Sequence, residues 1–118
     1  MPIPIPVHPT IPLTEIVRAA YVDLYDQLED AIESTTDPAN LQILNASQTN
    51  VDNVLTKDDL YRLHANTALF QALHEEIDST NSELDNLRKQ IKAIATDFDM
   101  AGDVIAAITK VLTLVPRP

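Results

Sequence analysis

The chain has 118 residues, of which 45% are hydrophobic, with a net charge of −10 and no cysteine. This length supports one domain with a buried core, and the lack of cysteine excludes disulfides and thiolate metal sites. The acidic charge argues against nucleic acid and anionic bilayers as partners, because both repel a negatively charged protein.

The distribution of turn-forming residues predicts an all-α fold. The sequence contains one glycine and eight prolines, and most of the prolines lie near the two ends. Such a composition favours long helices with few connections over a β fold, which needs many tight turns. We expect an extended proline-rich arm at residues 1–12, one helical bundle or coiled-coil domain at residues 13–115, and a tail at residues 116–118.

The arm reads MPIPIPVHPTIP, in which proline alternates with Ile3, Ile5 and Val7. Proline fixes the backbone in an extended conformation, and the segment lacks the basic region that begins a secretory signal. We expect these three apolar residues to dock in a groove between helices, on the same chain or on a neighbouring subunit. A disordered tail is the alternative.

Two helices of moderate length are predicted next. Apolar residues recur at helical spacing from Leu13 to Ile32, and STTDPAN at positions 34–40 supplies a stop, a cap and a first-turn proline. The second helix is predicted at about residues 38–55. Each of these helices would be about 30 Å long, and we expect the two to form an antiparallel hairpin.

A third, much longer helix is predicted to begin at Lys57. Thr56 is a suitable cap, and Asp58 and Asp59 would lie in the first turn, where the helix dipole favours negative charge. From Leu63 onward, apolar residues follow a heptad pattern as far as Val115, with only two polar residues at sixteen core positions. This pattern favours one continuous helix, on which the hairpin packs, and the alternative is a bend near Gly102 that creates a fourth helix.

A continuous helix from Lys57 to Val115 would be about 85 to 90 Å long, so the hairpin would leave its C-terminal half uncovered. An exposed apolar stripe indicates a binding surface, and we expect the partner to be a second copy or another helical protein. The predicted interface consists of Ile91, Ile94, Phe98, Ala101, Ile105, Ile108, Leu112 and Val115.

The two polar core positions of the heptad pattern are Asn66 and Thr80. A buried polar side chain must find a matching partner, so such residues can fix helix register. Gln48 on the second helix is the expected partner of Asn66. The alternative interpretation is that both are tolerated polar groups at the edge of the core.

The sequence indicates neither a metal site nor an enzyme. His64 and His74 are ten residues apart and fall on different faces of a helix, and no Glu-x-x-His pattern occurs. One glycine is too few for a phosphate-binding loop. We therefore expect a protein without catalytic activity and without a cofactor.

The long heptad helix, the helical hairpin and the isoleucine-rich C-terminal part resemble, in general character, components of helical pore-forming toxins and of phage or secretion-system assemblies. No motif is diagnostic of either. We expect a non-enzymatic structural or adaptor protein that acts through coiled-coil self-association or protein–protein binding. Two alternatives remain: a membrane-active amphipathic protein, and a monomeric binder of the chaperone or inhibitor type. We expect a soluble protein, and the compartment stays open.

Overall fold

The structure is a computed structural model that describes residues 12–93 and 101–115. It contains four α-helices in the described part of the chain: α1 (Glu15–Ser34), α2 (Pro38–His64), α3 (Thr67–Ala93) and α4 (Ala101–Leu114). The described residues form no strand, and the predicted all-α class is confirmed. The proline-rich arm up to residue 11 and the tail at residues 116–118 lie outside the described residues.

The start of α1 and the α1–α2 connection lie where the sequence predicts them. Thr14 caps α1, because its hydroxyl accepts a hydrogen bond from the N–H of Val17 at 3.2 Å. Asp37 caps α2 by accepting from the N–H of Ala39 at 2.8 Å, and Pro38 occupies the first helical position. Both caps satisfy helix-end amide groups that have no partner within the helix.

The predicted boundary between the second and third helices is wrong. No helix ends near Leu55, since α2 continues through Lys57 to His64. Asp58 therefore lies inside a helix and is buried, instead of standing in an exposed first turn. The break comes at residues 65–66, where Asn66 caps α3 by accepting from the N–H of Leu69 at 2.9 Å.

The single helix from Lys57 to Val115 is also wrong, and the alternative with four helices is the one observed. The helix α4 packs against both α1 and α3, so it is a separate element from α3. Gly102 lies in the first turn of α4, where a side chain would meet open space.

The helices form a four-membered bundle in which α2 and α4 each lie between α1 and α3. The side-chain contacts described below show that α2 runs antiparallel to both α1 and α3. The core contains apolar residues from all four helices, and α4 contributes several that are fully buried. The central buried side chains include Tyr21, Leu24, Leu28, Val51, Val54, Leu73, Ile77, Leu84, Val104, Ile108 and Val111.

Candidate interaction site

A buried carboxylate joins the start of α1 to the end of α2. Asp58 is fully buried, and its oxygens accept hydrogen bonds from the N–H of Leu13 at 2.9 Å, from Arg18 at 2.7 Å and from Arg62 at 2.8 Å. The guanidinium of Arg62 also donates to the carbonyl oxygen of Leu13. We call this group, Leu13, Arg18, Asp58 and Arg62, the entry clamp, because it holds the main chain where it enters the bundle.

The chemistry of the entry clamp explains how a charge is tolerated in the core. Removing a carboxylate from water is costly unless opposite charges and hydrogen-bond donors compensate for the lost hydration. Here two guanidinium groups and one backbone amide supply that compensation. Arg18 also contacts Asp59 at 3.0 Å, so the clamp extends to the surface. The result is a hydrogen-bonded junction between two helices.

Two exposed leucines lie in the same stretch of α2 as Asp58 and Arg62. Leu60 and Leu63 stand three residues apart in the last turns of α2, so they share one face of the helix. Their exposed fractions are 43% and 74%. Of the other large apolar side chains that the structure describes, only Ile16 and Val22 are similarly exposed. We call Leu60 and Leu63 the leucine patch.

Aromatic packing joins the end of α2 to the start of α3. The rings of Tyr61 and Phe70 meet edge to face with centroids 6.1 Å apart, and Phe70 stacks on His74 at the same distance. Lys57 pairs with Glu76 at 3.0 Å and links the same stretches of α2 and α3. These contacts join the last turns of α2, which carry the leucine patch, to α3.

The predicted register residues have other partners than expected. The expected pairing of Gln48 with Asn66 is not formed. Gln48 donates to Glu29 on α1, and Asn66 is an exposed cap that also donates to the carbonyl of His64. Thr80 is buried, and its hydroxyl lies 3.3 Å from the carbonyl oxygen of Asn50 on α2. Of the three, Thr80 alone lies in the core between two helices.

The predicted interface residues that the structure describes face the bundle's own core and do not form an exposed stripe. Ile91, Ile108 and Val115 are buried, and Ile105 and Leu112 are half-buried against the same core. Ile94 and Phe98 lie outside the described residues, as do the side chain of Ala101 and the predicted arm contacts Ile3, Ile5 and Val7.

A polar contact across the core is absent from the sequence-based predictions. The hydroxyl of Tyr21 on α1 donates to the Oδ1 of Asn81 on α3 at 2.7 Å, and both side chains are buried. Burial raises the pKa of the Tyr21 hydroxyl far above its ordinary value of 10.0. The hydrogen bond to Asn81 lowers this pKa, and the charge of Asp78 raises it, but both effects are smaller than that of burial. Asn81 immediately follows Thr80, the predicted core position, so the heptad pattern treated it as a flanking residue.

The entry clamp was also missed, although the sequence contains a signal for its ion pairs. Arg18 is the single basic residue among positions 1–56, and Arg62 follows Asp58 by one helical turn. An isolated arginine opposite an Asp–Arg pair at i and i+4 indicates an ion-pair network. The cap-like sequence around Thr56 instead favours a helix that begins at Lys57, with Asp58 in its exposed first turn.

Two further properties concern the described residues alone. They contain no group of three or more histidine or acidic side chains that could bind a metal ion. None of the described helices combines the length and the apolar character needed to cross a bilayer.

Comparison of the chain with models of protein families, with curated proteins and with solved structures gives no match.

Proposed function

We propose that this protein is a non-enzymatic structural or adaptor protein that acts by binding a second copy of itself or another helical protein. The observation that carries the proposal is the leucine patch. Leu63 is 74% exposed near the end of α2, and exposed apolar surface favours association. The proposal involves no cofactor, and the net charge of −10 disfavours nucleic acid as a partner.

The entry clamp supports the proposal because it joins the part of α2 that carries the patch to the start of α1. Asp58 and Arg62 flank Leu60 along α2, and both are hydrogen-bonded to the main chain of Leu13. A surface that is already ordered loses little conformational entropy when a partner binds. The leucine patch is therefore a better candidate contact than an equally apolar but mobile segment.

The test is the oligomeric mass of the full chain, measured by sedimentation equilibrium over a range of concentrations. We expect reversible self-association, and we expect the double variant Leu60→Asp/Leu63→Asp to abolish it. Val22→Asp is the matched control, because Val22 is as exposed as Leu60 but lies on α1. Equal association of both variants would contradict a role for the leucine patch.

Self-association through the C-terminal helix is a second candidate, and the packing of α4 favours a specific form of it. Ile105, Ile108 and Leu112 are buried or half-buried in the bundle to which α4 contributes. The α4 of one copy can make the same contacts with α1 and α3 of another copy, by exchange. Such a dimer forms slowly, since α4 must first leave its own bundle, and the leucine-patch variants should leave it intact.

The other two alternatives have their own tests. A membrane-active role requires α4 to release its apolar face from α1 and α3, and flotation with liposomes at neutral and mildly acidic pH measures it. A monomeric binder of a different protein requires a full chain that sediments as a monomer at every concentration. A monomer at every concentration would exclude self-association as the function, whereas flotation would show membrane binding.

A further inference from the structure

Polar contacts join three of the four helices to one another. The entry clamp joins α1 to α2, and Lys57 pairs with Glu76 at 3.0 Å between α2 and α3. The hydroxyl of Tyr21 on α1 donates to Asn81 on α3 at 2.7 Å. Breaking such a contact costs free energy, because a charged or buried polar group loses its partner. Directional contacts therefore hold α1, α2 and α3 in a defined register.

The helix α4 is attached without such contacts. Among the side chains of residues 102–115, all of which the structure describes, none forms a hydrogen bond, an ion pair or a ring contact with another helix. The polar side chains of α4 are exposed, and buried apolar residues make its contacts with α1 and α3. These residues are Val104, Ala107, Ile108, Val111 and, directly after the helix, Val115. Apolar contacts are non-directional, so α4 can leave and return without losing a specific polar partner.

The position of α4 in the bundle lets it leave alone. Because α2 and α4 each lie between α1 and α3, they stand on opposite sides of the bundle. Release of α4 therefore leaves every polar link between the other three helices intact. With 14 residues, α4 is the shortest of the described helices, so few residues must reorganise. Its release opens an apolar groove whose two sides are α1 and α3, and local opening of one element before the rest is common in proteins.

We propose that α4 is a detachable helix, which opens and recloses as a unit while the polar contacts keep α1, α2 and α3 together. The groove that it vacates accepts a helix of the same sequence, because α4 itself already fits there. The use of this opening in exchange between copies rests on the proposed function. The opening itself occurs within one copy and needs no partner.

Thiol labelling measures the opening directly, because the chain has no cysteine of its own. Val111→Cys places a thiol in α4, and Val54→Cys is the matched control in α2, since both valines are fully buried. After correction for the stability of each variant in urea, Val111→Cys should react with a thiol reagent at least tenfold faster than Val54→Cys. Its rate should also rise less steeply with urea, because release of one helix exposes less surface than unfolding of the whole chain.

A further substitution tells local opening from global unfolding. Asn66→Ala weakens the cap of α3, a helix that is present in the open state as well as in the folded state. It should therefore speed the reaction at Val54→Cys about fivefold and leave the reaction at Val111→Cys unchanged. An equal increase at both sites would mean that α4 leaves only when the whole chain unfolds, and it would overturn the proposal.

Two more valines guard against a variant that fails to fold. Val104 in α4 and Val51 in α2 are also fully buried, so Val104→Cys and Val51→Cys repeat the comparison. Labelling is measured at a concentration at which sedimentation shows a monomer, so the result is independent of the leucine patch. Fast labelling of α4 in a chain that never associates supports the detachable helix and excludes its use in exchange.

A fluorescent peptide of residues 94–118 tests the vacated groove. It should bind the full chain at a rate that becomes independent of peptide concentration, because the groove must first open. The same peptide carrying Ile108→Asp is the control and should not bind, since Ile108 is fully buried in the bundle. Equal binding of the two peptides, or no binding of either, would overturn the assignment of the groove.

Discussion

Asp58 is fully buried and accepts three hydrogen bonds, and all three donors hold the same junction of the bundle. An apolar residue of similar size would avoid the cost of burying a charge, but it would leave the N–H of Leu13 and parts of two guanidinium groups without acceptors. The carboxylate therefore specifies how α1 starts relative to α2. The carboxylate thus contributes to the relative position of the two helices as well as to the stability of the bundle.

We expect Asp58→Asn to destabilise the bundle by roughly 2 to 3 kcal/mol. The amide can still accept from Leu13, but its NH₂ group cannot accept from the arginines, and the charge that both arginines face is lost. The change is measured as the free energy of unfolding in urea. Asp59→Asn is the matched control, because Asp59 is 58% exposed and its contact with Arg18 should contribute less than about 1 kcal/mol. Equal losses in the two variants would show that burial of Asp58 is unimportant.

We expect the folded protein to lose stability at alkaline pH because of Tyr21. Because burial raises the pKa of its hydroxyl, the folded chain keeps this proton above pH 10.0, where the unfolded chain releases it. The free energy of unfolding then falls with rising pH, by about 1.4 kcal/mol per pH unit for one proton.

We expect Tyr21→Phe to be about 1 to 2 kcal/mol less stable at pH 7, since it leaves the buried oxygen of Asn81 without its donor. The difference should shrink as the pH rises above 10.0, because the variant lacks the titrating group. Urea unfolding of both proteins at pH 7 and at several values above pH 10.0 provides the comparison. Parallel stability profiles would contradict the assignment.

At the level of the helices, the sequence predicts α1 and the start of α2 well, because Thr14, Asp37 and Pro38 are strong local signals. It fails at the α2–α3 junction. Thr56 with Asp58 and Asp59 resembles the first turn of a helix, whereas the true junction at residues 65–66 has neither glycine nor proline. Asp58 has its role through Leu13, 45 residues away, and such a contact has no local signature.

Asn66 tests the corrected boundary directly. As the cap of α3, it should tolerate replacement by aspartate, which also accepts from the N–H of Leu69, whereas Asn66→Ala should cost about 1 kcal/mol. Thermal unfolding followed by circular dichroism measures both variants, and sedimentation should show no change in association. Altered association with unchanged stability would instead support the original prediction of a register residue.

At the level of the whole molecule, the heptad pattern predicts an apolar face on the C-terminal segment but does not give the residues that are most buried or what they contact. Its positions Ile105 and Leu112 are half-buried, whereas Val104 and Val111, which lie outside the pattern, are fully buried. Ile108 fits equally a stripe that faces another chain and a helix that packs in its own bundle. The spacing of apolar residues in a sequence indicates that a helix has an apolar face. Which helix packs against that face depends on the path of the chain between α3 and α4. In the folded chain Ile108 is fully buried, and α4 lies against α1 and α3.

Removal of α4 therefore should expose the core instead of freeing an independent hairpin and helix. A chain that ends at residue 93 loses Val104, Ile108 and Val111, all fully buried, and leaves apolar faces of α1 and α3 in water. We expect it to bind a hydrophobic dye and to unfold with low cooperativity. A peptide of residues 94–118 should restore cooperative unfolding when added, because it can occupy the vacated position. The same peptide carrying Ile108→Asp is the control and should fail, since a charge would enter the core. A truncated chain that unfolds as cooperatively as the full protein would show that α4 is not an integral part of the bundle.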